Sequence, residues 1–270
     1  MRHTSRYRPI LPKRWIEDFF EAADLERSFE GLRGAKHFHA DTMRGRIRSL
    51  QVRLEEAHKY FERAYAGACI APKSIPNLMR ELTLHTYWLE NRALQGPLEP
   101  VEDEDFTDFP EFPEFPDEIV EEYPEVLVAA RIRNSAEALM YLHSGKYTIA
   151  AEIYSILVER DRKERGDILA GHYIGLAASV YNVGLRDGAM DCLEKAGTAL
   201  RSGVASNLTR CILGANLEGA YRCLGEETLA EVWGRYVADL ECPAPTKAAF
   251  RRRTGIAARR WAEESKLLVV

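Results

Sequence analysis

The sequence predicts an all-α protein. Apolar residues recur at helical spacing through most of the chain, and glycines interrupt that pattern at similar intervals in its second half. No segment shows the alternation, or the Val/Ile/Thr enrichment, of a sheet strand. Hydrophobic residues make up 46% of the 270 positions, enough for a real core. No apolar run approaches the roughly 18 residues that a membrane span needs, so no membrane segment is expected. Arg2, Arg6, Arg8, Lys13 and Arg14 crowd the N-terminus without an apolar stretch behind them, which is not the pattern of a secretory signal.

The elements follow in order. Trp15-Ile16, Phe19-Phe20 and Ala23 form an i, i+4, i+8 stripe behind Pro12, and Gly31 and Gly34 suggest a break. One long helix is expected from about His39 to Ala66, with Leu50, Leu54, Ala57, Phe61 and Ala64 on one face. Another is expected from Ile75 to Leu94, ended by Gly96-Pro97. The chain reads as helical again from Glu118 to Leu240. A last helix, Thr246 to Leu267, has Thr246 as its N-cap and a stripe of Phe250, Ala257, Ala258 and Trp261. Its Arg251, Arg252, Arg253, Arg259 and Arg260 are expected to be exposed. Three regions result: helices over 1–96, an acidic arm over 97–117, and helical repeats with the C-terminal helix over 118–270.

The arm is compositionally distinct. Thirteen acids and no base lie between Pro97 and Glu125, and without them the formal charge of −5 becomes +8. Val101 to Pro116 reads VEDEDFTDFPEFPEFP, with no helical or strand period. Proline removes backbone donors and dense like charge resists compaction, so an extended linker or arm is expected. Phe106, Phe109, Phe112 and Phe115 recur every three residues, which sets them along one edge of a polyproline helix. The arm therefore has three readings: a partner-binding motif, a segment that folds onto the protein's own basic surface, or a linker whose rings pack on neighbouring helices.

Three segments carry an internal repeat: GKYTIAAEIYSILVERD from Gly145, GLRDGAMDCLEKAGTAL from Gly184, and GEETLAEVWGRYVADL from Gly225. In each, an alanine stands five residues after the glycine: Ala150, Ala189 and Ala230. A further helix precedes each glycine: Asn134 to His143, Tyr173 to Tyr181, and Ile212 to Cys223. The logic is a helix, a tight turn that wants glycine, and a second helix whose alanine permits close approach. LEEAHKYFERA, Leu54 to Ala64, matches a second helix but lacks a turn glycine ahead of it.

These segments resemble the tetratricopeptide repeat (TPR) family. In the middle copy Tyr173, Leu176, Ala177, Gly184, Ala189, Leu193 and Ala196 fall at the family's characteristic positions. The glycines are 39 and 41 residues apart, against about 34 in the family, and Asn134 and Gly214 replace its large early residue. The resemblance covers about Arg131 to Cys242. It implies a TPR-like α-solenoid of antiparallel helix pairs, with the N-terminal helices and the C-terminal helix as caps. It also implies a groove lined by the first helix of each pair, presenting Leu139, Leu142 and His143, then Ile174, Tyr181 and Asn182, then Arg222. Ser135, Ala178, Ala215, Gly219 and Cys223 share that face. Asn182 and Arg222 are its polar members, an amide suited to a peptide backbone and a guanidinium suited to a carboxylate.

No catalytic constellation, cofactor loop or metal site is expected. Glu55 and His58 make a single Glu-x-x-His step where a di-iron bundle needs two, and His37-Phe38-His39-Ala40-Asp41 reads as a helix start. Phosphate-binding and nucleophile-elbow glycine motifs are absent. The five cysteines, Cys69, Cys192, Cys211, Cys223 and Cys242, are odd in number and without C-x-x-C spacing, so each reads as an apolar filler in a reducing cytoplasm. The expected function is non-enzymatic: an adaptor, chaperone-like holder or regulatory subunit that binds another protein or peptide. The alternative is a nucleic-acid-associated regulator that uses its arginine-rich ends, with the acidic arm as internal competitor.

Overall fold

The computed structural model describes residues 11–72, 74–95, 124–162 and 166–267, the side chains of 75, 93, 124–133 and 257–267 excepted. The acidic arm with Phe106, Phe109, Phe112 and Phe115 lies outside the described residues, as do the side chains of Arg259 and Arg260. Among the described residues there are twelve helices and no strand.

The N-terminal helix α1, Lys13–Ile16, runs directly into a π-turn, Glu17–Glu21, and α2 spans Leu25–Gly31. Trp15, Phe19 and Ala23 are buried, and the Trp15 indole N–H donates to the Ser28 carbonyl at 2.6 Å. The stripe predicted from Trp15 to Ala23 thus exists. Ala23, however, lies past the helix end in the left-handed region, at φ 50°.

The single helix expected from His39 to Ala66 is two: α3, Phe38–Leu50, and α4, Leu54–Ile70. The His37 ring caps α3, its Nδ1 accepting from the Ala40 N–H at 3.0 Å, so this segment is a helix start as expected. α5 spans Ile75–Gln95. Helix α6, Pro124–His143, then pairs with α7, Tyr147–Asp161; α8, Gly166–Asn182, with α9, Arg186–Ser202; and α10, Asn207–Cys223, with α11, Glu227–Asp239. The last helix, α12, starts at Ala244, before the expected cap; Thr246 lies inside it, is buried and donates to the Ala23 carbonyl at 2.9 Å.

The turns inside α6–α7, α8–α9 and α10–α11 are one structure repeated. Gly145, Gly184 and Gly225 have φ of 77°, 89° and 76°. The next residue's N–H reaches back five positions, Lys146 to Tyr141, Leu185 to Val180 and Glu226 to Tyr221, at 2.9, 3.0 and 2.9 Å. This satisfies carbonyls at the end of the first helix. The turn between α3 and α4 has the same path without glycine: Val52 has φ 63°, and the Arg53 N–H bonds the Arg48 carbonyl at 2.8 Å. Ala57 stands five residues after Val52 and is fully buried, as are Ala150, Ala189 and Ala230. The segment lacking a turn glycine therefore follows the same turn.

Neighbouring helices approach closely where side chains are small. The Tyr154 ring of α7 occupies the space where a Cβ on Gly175 of α8 would stand, and Trp233 of α11 lies 2.6 Å from the Cβ position of Gly197 on α9. A large ring set over a glycine brings helices together with little void. Arg186 joins successive turns, donating to the Leu224 carbonyl at 2.9 Å and pairing with Glu226 at 2.6 Å.

The N-terminal helices and the last helices share a core. Leu11, Trp15, Phe19, Leu25, Met43, Ile47 and Leu50 pack in one cluster with Leu208, Cys211, Ala215, Val237 and Phe250. The side chain of Asn207 donates to the Glu21 carbonyl at 2.9 Å along the same seam.

Candidate functional site

The predicted groove positions divide into an open part and a covered part. Leu139, Leu142, His143, Ile174 and Tyr181 are half-buried on α6 and α8; Leu142 leans on Tyr154 and Leu157, and Ile174 and Tyr181 on the core of α8–α11. On α10 the same face is occupied by the protein itself. Ala215 belongs to the core shared with the N-terminal helices, and Thr254 of α12 fills the space beside Gly219.

Neither polar member displays its group outward without a partner. Asn182 is buried, its Nδ2 donates to the Ala178 carbonyl at 2.8 Å, and its Oδ1 is shielded from solvent. Arg222 pairs with Glu218 at 3.1 Å, one helical turn away, and approaches Glu227 at 3.7 Å.

The arginine stripe of α12 is also divided. Arg253 is not exposed as expected: it pairs with Glu90 of α5 at 2.6 Å, and Arg46 of α3 pairs with the same carboxylate oxygen. Both guanidiniums are largely buried, and that of Arg46 also lies 4.3 Å from the Tyr87 ring centroid. Burial raises the carboxyl pKa of Glu90, but the two guanidiniums outweigh it and hold the pKa below its ordinary value. Arg251 donates to the Gly234 carbonyl at 3.1 Å, while Arg252 is exposed. Sequence inspection does not pair Arg253 with a residue 163 positions earlier.

A second polar cluster joins three helices. Ser135 Oγ of α6 is 3.0 Å from His172 Nε2 of α8, and His172 Nδ1 is 3.2 Å from Asp161 Oδ2 at the end of α7. Asp161 is fully buried and His172 nearly so. The arrangement has the serine, base and carboxylate of nucleophilic catalysis. Ser135 lies within α6, however, where the flanking backbone N–H groups are engaged in the helix and form no oxyanion hole. The geometry fits a buried polar strut between α6, α7 and α8. Nothing in the spacing of 135, 161 and 172 announces it.

Cys211 fills the apolar core as expected and Cys242 packs against it, with their sulfurs 2.9 Å apart. The histidines of the α3 start form no metal cluster, and no group of three or more potential ligands occurs among the described residues. His39 is held neutral, its pKa lowered to about 4 by burial and then by Arg80 and His37.

An exposed apolar groove lies elsewhere. Thr148, Ala151, Glu152, Ser155 and Ile156 of α7 face Val180, Val183 and Leu185 around the α8–α9 turn. Ile156 and Leu185 are 64% and 60% exposed. No helix among the described residues is long and apolar enough to cross a membrane. No protein family, no curated protein and no solved structure matches the chain.

Proposed function

We infer that the chain is a protein–protein interaction module, a TPR-like α-solenoid that acts as an adaptor or regulatory subunit. The observation that carries this reading is the exposed apolar groove between α7 and the α8–α9 turn, where Ile156 and Leu185 stand in solvent on neighbouring helix pairs. An apolar groove of this kind can seat the apolar side chains of a partner segment. Glu152 is the charged residue of the lining, so the fitting partner is an apolar segment with a basic residue opposite it. The groove expected on the first helices contributes only its α6 and α8 part, because α10 is covered.

A photo-crosslinker at Ser155 tests this. It is expected to capture one protein, whose purified form binds the wild-type chain and binds Ile156→Asp at least about tenfold more weakly. Val204→Asp, an exposed apolar position outside the groove, serves as control. Equal binding of the captured protein to wild type and Ile156→Asp refutes the groove as the site.

The nucleic-acid alternative has less support, since Arg253 is committed to Glu90 and Arg251 to a backbone carbonyl. Heparin retention that is weak and unchanged by Arg252→Ala is the expected result. Strong, salt-sensitive retention abolished by Arg252→Ala reverses the ranking.

A further inference from the structure

Cys211 and Cys242 differ in the way that thiol–disulfide exchange requires. Cys211, on α10, is fully buried, whereas Cys242, on the linker between α11 and α12, is half-buried. Their sulfurs are 2.9 Å apart, with the Cys211 thiol donating to Cys242. That hydrogen bond, together with Lys247 in the first turn of α12, pulls the Cys242 thiol below its usual range in spite of partial burial. Acting as donor, and burial after that, push Cys211 up. A partly exposed thiol, easier to ionise than an ordinary one, thus stands in front of a buried one within reach of it.

We propose that Cys211 and Cys242 form a modification site, a dithiol that a small-molecule disulfide such as oxidised glutathione converts to an intramolecular disulfide. The Cys242 thiolate attacks one sulfur of the small disulfide. A mixed disulfide forms, the small molecule's own S–S bond breaks, and one small thiolate leaves. Cys211 then gives up its proton to that thiolate and attacks the Cys242 sulfur. The intramolecular S–S bond forms and the second small thiolate departs, to take the proton released when Cys242 ionised. Two protein thiols are oxidised and one small disulfide is reduced to two thiols.

The bond would join the start of α12 to α10 at the seam where the N-terminal segment docks. Cys242 also lies 3.9 Å from the Asn207 carbonyl, and Asn207 and Thr246 hold the Glu21 and Ala23 carbonyls at 2.9 Å each. Cross-linking positions 31 residues apart removes freedom from the unfolded chain, so oxidation should raise the thermal midpoint.

The test equilibrates the intact protein in mixtures of oxidised and reduced glutathione, quenches with acid, alkylates free thiols and digests without reduction. The expected product is a cross-linked peptide pair containing Cys211 and Cys242, with a higher Tm for the oxidised protein. Cys242→Ser should abolish both the pair and the Tm difference, and Cys211→Ala should leave Cys242 carrying one glutathione. Glutathione accumulating on Cys242 of the native chain while Cys211 remains alkylatable would overturn the proposal. Oxidation of exposed Cys69 with both partners still reduced would do the same. Because the native chain supplies the primary readout, a poorly folded variant does not decide the outcome.

Discussion

The α3–α4 pair and the three glycine pairs follow one turn geometry but differ in the residue at the turn and in the charged contacts around it. In the glycine pairs the left-handed residue has no side chain; rings set over glycines pack neighbouring pairs, Tyr154 over Gly175 and Trp233 over Gly197, as Phe61 of α4 packs over Gly45 within the α3–α4 pair. In the α3–α4 pair Val52 takes the left-handed position, where a β-branched residue is strained, and charged side chains secure the surroundings. Arg46 reaches Glu90, Arg48 pairs with Glu56 at 2.9 Å, and Asp41 binds Arg44 and Arg63 at 2.6 and 3.0 Å. A repeated turn therefore does not require a repeated residue, provided tertiary contacts hold the turn against its strain.

The largest test of this contrast is at the Arg46–Glu90–Arg253 cluster. Glu90→Ala leaves two largely buried guanidiniums facing each other and should cost about 3–5 kcal/mol in urea unfolding. Because the folded pKa of Glu90 lies below the unfolded carboxyl value near 4.3, its contribution is present above that pH and is lost as pH falls through the folded pKa. Glu90→Gln should flatten that acid limb. A loss under about 1 kcal/mol for Glu90→Ala would mean that apolar packing alone holds α3 and α12 on α5.

His39 should act at higher pH. Its folded pKa, lowered to about 4, lies below the unfolded value of 6.5, so the unfolded chain takes up the proton first as pH drops. Stability should therefore drain between pH 6.5 and about 4, by about 3 kcal/mol in all. Unfolding midpoints of wild type and His39→Gln, compared across that range, measure the difference. Parallel curves would remove His39 as the cause.

The smallest expected effects isolate the turns themselves. No atom lies within 4 Å of a Cβ built on Gly184, so Gly184→Val introduces backbone strain without a clash and should cost about 1–2 kcal/mol. Val52→Gly reverses the substitution in the same geometry and should stabilise by about 1 kcal/mol or less, since glycine also loses more freedom on folding. Destabilisation by Val52→Gly would show that the valine side chain's packing outweighs its backbone strain.

Much of the helical layout is legible in the sequence because helix periodicity and turn glycines are local signals. Gly145, Gly184 and Gly225 mark their turns correctly, and Ala150, Ala189 and Ala230 their buried positions. The α3–α4 turn is illegible because Gln51-Val52-Arg53 contains neither glycine nor proline. Its αL residue is tolerated by packing that only the folded chain supplies. The surroundings of the candidate groove are less legible. Leu139, Ile174 and Tyr181 are where a groove could use them, but the covering of Ala215 and Gly219 depends on segments far along the chain.

By itself the sequence determined where apolar stripes and flexible turns occur, and hence an all-helical chain, since those properties belong to neighbouring residues. The fold alone sets the N-terminal helices and the last repeat in one core, binds Arg253 to Glu90, and brings Ser135, His172 and Asp161 together. It also decided that two cysteines stand sulfur to sulfur. These contacts join residues tens to hundreds of positions apart, and their partners are selected by the path of the folded backbone, which local spacing does not encode.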